Sequence, residues 1–126
     1  MRRLLLAALP LLLAAPADAA LIVGSERFEQ EEVLDARALP DASGAAAILV
    51  TFTVPGARRY AKIAKAHEGR KLRFALDDRL LAEPTMGRAD DEGAVQISGD
   101  FGGFDGAAAI ARQISGKAPV PEEGEE

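Results

Sequence analysis

The sequence predicts an α+β fold, a two-layer sandwich with two helices on one face of an antiparallel or mixed sheet, and three observations carry that reading. Residues 71–77 alternate, with Leu72, Phe74 and Leu76 on one side and Lys71, Arg73, Ala75 and Asp77 on the other, as a half-buried strand does. Tyr60, Ile63, Ala64 and His67 recur at i, i+3, i+4 and i+7, the apolar stripe of a helix. Finally, the elements run strand, strand, helix, strand, strand, strand, helix, an order that places helices against a sheet without the strict β-α alternation of a parallel one. A ferredoxin-like arrangement is the first candidate for the strand order.

Taken from the amino-terminal side, residues 21–28 are mixed, and Leu21-Ile22-Val23 reads either as a short strand or as the trimmed end of a leader. Residues 32–39 read as a strand, although Val33 and Leu34 are adjacent and the period is not clean. Pro40-Asp41-Ala42-Ser43-Gly44 is a turn, since proline fixes φ while Asp, Ser and Gly accept turn geometry. Residues 46–53 form the second arm of a hairpin, with Ile48, Val50 and Phe52 on one face. Thr53 then caps a helix with Pro55 in its first turn, where a missing N–H is harmless. Arg58, Lys62 and Lys65 face away from the apolar stripe, and Gly69 is placed to end the helix in a left-handed conformation. Asp77-Asp78 turns the chain into a strand over 79–82, and Pro84 marks its close or an edge. A polar loop over 87–93 holds Asp90-Asp91-Glu92, Val95 and Ile97 share one face of a strand over 94–98, and Phe104, Ala107, Ala111 and Ile114 lie at helical spacing before Gly116.

The chain has 126 residues and no cysteine, so one apolar core without disulfides must hold one domain. Arg2 and Arg3, the apolar run of residues 4–15 broken by Pro10, and Ala17-Asp18-Ala19 read as a secretory signal peptide over 1–19, too short to span a bilayer. The mature chain is expected to begin at Ala20, with Leu21 the alternative, and the chain divides into a domain over 20–118 and an acidic, disordered tail over 119–126. Loss of 1–19 removes Arg2, Arg3 and Asp18 and moves the formal net charge from −5 to −6. That balance argues against a nucleic-acid partner, which needs a basic surface.

Several short motifs in fixed order add a family to this frame. Gly56-Ala57 with Tyr60, Gly69-Arg70, Leu76-Asp77, Ala82-Glu83-Pro84, Ile97-Ser98-Gly99-Asp100-Phe101 and Gly116 with Pro119 together resemble the head part of the first large periplasmic domain of SecD, a subunit of the bacterial protein-export machinery. The likeness runs from about Phe28 to Pro121. It departs at Asp78, where the family's hairpin has glycine, at Glu83, and in the Gly and Ala content of the last helix. The resemblance implies a periplasmic, non-enzymatic domain that contacts exported or unfolded polypeptide in connection with translocation, through a sheet edge or a groove beside the helices. The alternative is an envelope protein that keeps only this fold and docks on one folded partner or on itself.

The side chains suited to chemistry support binding better than catalysis. His67 reads as a packed or C-capping residue, and no Gly-x-Ser-x-Gly elbow accompanies it, so no catalytic residue is assigned. Asp77-Asp78 and Asp90-Asp91-Glu92 lack the spaced Asp-x-Asp-x-Asp-Gly pattern of a Ca2+ loop, so no metal is assigned. The glycine-rich stretch 99–106 lacks a phosphate-binding Lys-Ser/Thr ending and reads as a flexible turn, so no cofactor is expected. What remains is the basic set Arg58, Arg59, Lys62 and Lys65 on the first helix, the candidate surface for a polypeptide or envelope partner, read otherwise as a solvated helix face.

Overall fold

The computed structural model describes residues 19–88 and 93–121. Residues 1–18 of the expected leader, the Asp90-Asp91-Glu92 cluster and the acidic end from Glu122 lie outside the described residues. Seven strands and two helices follow in the order β1 (Leu21–Val23), β2 (Glu26–Phe28), β3 (Val33–Pro40), β4 (Ala46–Phe52), α1 (Val54–Ala66), β5 (Phe74–Leu76), β6 (Arg79–Ala82), β7 (Ala94–Ser98) and α2 (Gly103–Ser115). A 3-10 turn, Gln30–Glu32, joins β2 to β3.

The two-layer α+β architecture stands, and every strand ladder is antiparallel. The ferredoxin-like arrangement is not the one adopted, because the strands divide between two sheets, ordered β2-β1-β5-β6 and β3-β4-β7. The cause lies in residues 21–28, which fold as a hairpin. Its inner strand pairs Leu21, Ile22 and Val23 with Leu76, Ala75 and Phe74, drawing β5 and β6 away from β4. Just ahead of this ladder, the Asp77 N–H donates to the Ala20 carbonyl at 2.9 Å and the Ala20 N–H donates to Asp77 Oδ1 at 3.1 Å. Asp77 takes a φ of 51°, the left-handed backbone that the first central position of a two-residue hairpin turn requires.

The core joins the sheets through four rings in file: Phe28 of β2, Phe52 of β4, Tyr60 of α1 and Phe74 of β5, with successive centroids 5.1, 5.2 and 6.4 Å apart. Burial of such a ring contributes roughly 2–3 kcal/mol, so this file is a principal tie between layers that share no ladder. Helix α2 packs on β3 and β4, burying Ala107, Ala111 and Ile114 of the spacing read from the sequence together with Ile110, whereas Phe104, read into the same spacing, is 47% exposed in the first turn. Ile48, Val50 and Phe52 point inward as expected.

Two strands differ from their sequence reading. Over 71–77 only Phe74–Leu76 is a regular strand, and within it the register to β6 slips between Phe74 and Ala75. Residues 70–72 still pair irregularly with 84–86, through the Leu72 N–H to the Pro84 carbonyl and the Met86 N–H to the Arg70 carbonyl. Ala75 is buried rather than outward, since its methyl lies between the larger cross-strand neighbours Ile22 and Leu80. In β3 a bulge leaves Leu34 unpaired between the pairs Val33–Phe52 and Asp35–Thr51. The extra residue reverses the parity of the strand, so that Val33, Ala36 and Ala38 share the inner face while Asp35 and Arg37 share the outer one.

Candidate functional site

Helix α1 begins where the sequence places it. Thr53 is extended, with φ −65° and ψ 169°, and its Oγ1 accepts from the Gly56 N–H at 3.3 Å. The Thr53 N–H and Oγ1 both donate to the Glu32 carbonyl, which fixes the helix entry on the 3-10 turn. Gly56 is required by that contact, since a Cβ there would stand 2.8 Å from the Glu32 oxygen. At the other end His67 Nδ1 lies 2.7 Å from the Ile63 carbonyl and donates to it, so the histidine caps the helix. Gly69 follows at φ 78°, with its N–H on the Met86 carbonyl.

The four basic residues of α1 separate into two groups. Arg58, Lys62 and Lys65 are exposed. Arg59 instead turns toward the β2 edge, where it donates to both oxygens of Glu32 at 2.9 and 2.7 Å, to Glu26 at 3.1 Å and to the Arg27 carbonyl at 3.0 Å. Its guanidinium carbon stands 4.3 Å from the Phe28 ring centroid. The hydrogen bonds to Glu32, outweighing a smaller opposing effect of burial and helped by Glu26, raise its pKa further and keep it charged. Arg59 is therefore a structural strut, and the surface available to a partner is that of Arg58, Lys62 and Lys65.

Beside this basic face runs an open groove of about 290 Å3 between the β1–β2 turn and α1. Val23, Ile63 and Ala66 give it an apolar floor, while Glu26, Lys62 and His67 give it polar walls. Ile63 and His67, half of the stripe read as core, thus line a surface groove, whereas Tyr60 and Ala64 are buried as expected. Gly24 and Ser25 of the β1–β2 turn complete the groove's lining. Among the described residues no three His, Cys, Asp or Glu side chains gather in a group able to hold a metal ion. No helix among them is long and apolar enough to cross a membrane.

In the glycine-rich stretch, Gly102 and Gly103 take open, left-handed turn positions, whereas Gly99 and Gly106 make tight contacts. A Cβ on Gly106 would stand 1.7 Å from the carbonyl oxygen of Phe101, whose side chain is buried, so the glycine lets α2 seat on that carbonyl.

Comparison with known proteins places these features in a lineage. A family model described as SecDF, P1 head subdomain, matches residues 12–118. The protein translocase subunit SecDF of Thermus thermophilus is 32% identical over 91 residues, covering 71% of this chain and 12% of that protein. A crystal structure of SecDF in a super-membrane-facing form superposes with a TM-score of 0.64 at 26% identity, covering 75% of this chain and 12% of the other. A structure of a membrane component SecDF described as enhancing protein export gives 0.59 at 25% identity, over 79% and 46%. The chain thus spans about an eighth of the length of the Thermus relative. The motif residues Gly56, Gly69, Asp77, Gly99, Phe101 and Gly116 fall at close approaches, turns, caps and core.

Proposed function

The chain belongs to the SecDF P1 head subdomain family, and from that premise we propose that it is a non-enzymatic polypeptide-binding domain acting in connection with protein translocation. The observation that carries the reading is the match of the head subdomain over residues 12–118. The groove between the β1–β2 turn and α1 is the proposed contact surface, with Lys62 and His67 beside an apolar floor of Val23 and Ile63. Such a groove favours extended chain with exposed apolar side chains, since a folded surface would present few of them. Residues 1–19 would act as a cleaved signal peptide and deliver the domain to the periplasm.

The test uses the purified chain carrying a photoreactive side chain at Ala66, with a reduced, carboxymethylated protein that stays unfolded as probe and its native form as control. Crosslinking to the unfolded probe alone, lost when Ile63→Asp puts a charge on the groove floor, is the expected result. Equal crosslinking to both forms, or to neither, overturns the reading. Mass spectrometry of the amino terminus after expression with export checks the leader, and retention of residues 1–19 would remove that part of the proposal.

A further inference from the structure

We propose that Asp35 and Arg37 on β3 form a clamp for the main chain of an extended polypeptide, and that the chain's own segment Ala118 to Val120 occupies it in cis. The clamp rests on the reading of this domain as a polypeptide binder but uses a different surface from the α1 groove. Arg37 and Asp35 are first locked to each other, Nε to Oδ2 at 2.8 Å and Nη2 to Oδ1 at 3.3 Å, and Asp35 is only 9% exposed. Asp35 Oδ1 then accepts the Val120 N–H at 2.7 Å, and Arg37 Nη2 donates to the Val120 carbonyl oxygen. An acceptor and a donor fixed side by side complement the N–H and C=O of one residue, so two side chains supply one rung of a strand ladder.

Three observations indicate that the clamp reads backbone and not sequence. Both bonds to Val120 go to its main chain, while its side chain points outward and the residue is 47% exposed. Val120 lies between Pro119 and Pro121, which have no N–H, so it presents the sole donor of that tripeptide to Asp35. The prolines also bias the segment toward an extended form and prevent it from continuing a ladder along β3, an edge strand. Upstream, Ser115 Oγ bonds both the N–H and the carbonyl of Lys117, and Lys117 Nζ reaches the Val33 carbonyl, which leads the chain off α2 and across the β3 edge. The bulge at Leu34 makes the clamp possible, since it turns Asp35 and Arg37 together off the core face that Val33 occupies.

A tethered segment meets its site at an effective concentration of the order of millimolar, so a free peptide competes only when the segment is removed. The experiment compares the full chain, a chain ending at Lys117, and full-length Val120→Pro, which removes the cis N–H without shortening the chain. The probes are a labelled peptide of residues 118–126, an unrelated peptide with a Pro-x-Pro centre, and the first peptide N-methylated at its valine; binding is read by fluorescence anisotropy. Both unmodified peptides should bind the shortened chain and Val120→Pro alike, and the full chain on the order of tenfold more weakly. N-methylation, which leaves the protein untouched, should weaken binding about tenfold, as should Asp35→Asn in a chain with an unchanged circular dichroism spectrum. Binding restricted to the 118–126 sequence, binding indifferent to N-methylation, or no binding to either opened chain overturns the clamp. Because the α1 groove is assayed separately at Ala66, either surface can fail while the other stands.

Discussion

Arg59→Ala is the substitution that best tests how α1 is held to the β1–β2 hairpin. The guanidinium makes two bonds to Glu32, whose side chain is 25% exposed, one to the more exposed Glu26 and one to the Arg27 carbonyl, and it covers the Phe28 ring. With Arg59 itself 36% exposed, solvent screening holds the Glu32 pair to about 1 kcal/mol and the Glu26 pair to a few tenths. The carbonyl bond adds about 0.5 kcal/mol, and the cation–π contact about 0.5 kcal/mol more. The loss expected for Arg59→Ala is therefore about 2 kcal/mol, or roughly 10 °C in Tm for a domain of this size. Arg59→Lys keeps the charge but not the fork and should recover less than half. Arg58→Ala, one residue away and exposed, should stay within about 0.5 kcal/mol. Urea unfolding followed by circular dichroism gives all three values, and a cycle with Glu32→Gln isolates the pair. Equal midpoints for Arg59→Ala and Arg58→Ala would refute the strut and return Arg59 to the partner-facing set.

Other perturbations probe separate features. Burial alone would raise the Asp35 pKa, but the hydrogen bonds from Arg37 and the Val120 N–H, with the charges of Arg37 and Lys117, lower it below 3.8. The stability it lends is thus complete at neutral pH and fades only as the pH falls from about 4 through the depressed folded value, so Asp35→Asn should flatten the acid limb of a pH–stability profile and leave the alkaline limb alone. Gly106→Ala, which would drive a Cβ into the Phe101 carbonyl, should destabilise by about 3 kcal/mol in chemical denaturation even though alanine favours helices. Tyr60→Ala removes the ring between Phe52 and Phe74 and should lose about 3–4 kcal/mol, with an unfolding transition that broadens if the two sheets uncouple. His67→Ala removes the bond to the Ile63 carbonyl and should lower stability by about 0.5–1 kcal/mol, measured by thermal melting.

Local chemistry made much of this fold legible. The Thr53 cap, the buried Tyr60 and Ala64, the Asp77-Asp78 turn and Ala107, Ala111 and Ile114 of α2 each follow from a few neighbouring residues and are found where the spacing puts them, while Phe104 stays exposed. The division into two sheets was not legible, because it depends on which distant strand the Leu21–Val23 segment pairs with, and both possible partners are apolar. The irregular period of residues 32–39 was in fact a signal. A buried Val33 followed by a buried Ala36 breaks the period of 2, and the single unpaired Leu34 accounts for it. For the same reason the placement of Asp35 and Arg37 off the core face was not legible, since a regular strand would set both on the face of Val33. Arg59 could not be told from Arg58 by sequence, as helical phase brings it near β2 only once the hairpin is known to lie there.

The exchange between Ala20 and Asp77 sets a tolerance on where the chain can be cut. Ala20 is fully buried with both its main-chain groups engaged. Cleavage after Ala19 would turn its nitrogen into an ammonium group 3.1 Å from the Asp77 carboxylate, so a neutral donor would become a charged one beside the carboxylate that already accepts from it. Cleavage one residue later would remove that nitrogen and the carbonyl that receives the Asp77 N–H, and leave the turn without its partner. The fit of a single aspartate would thus favour an amino terminus at Ala20 over one at Leu21.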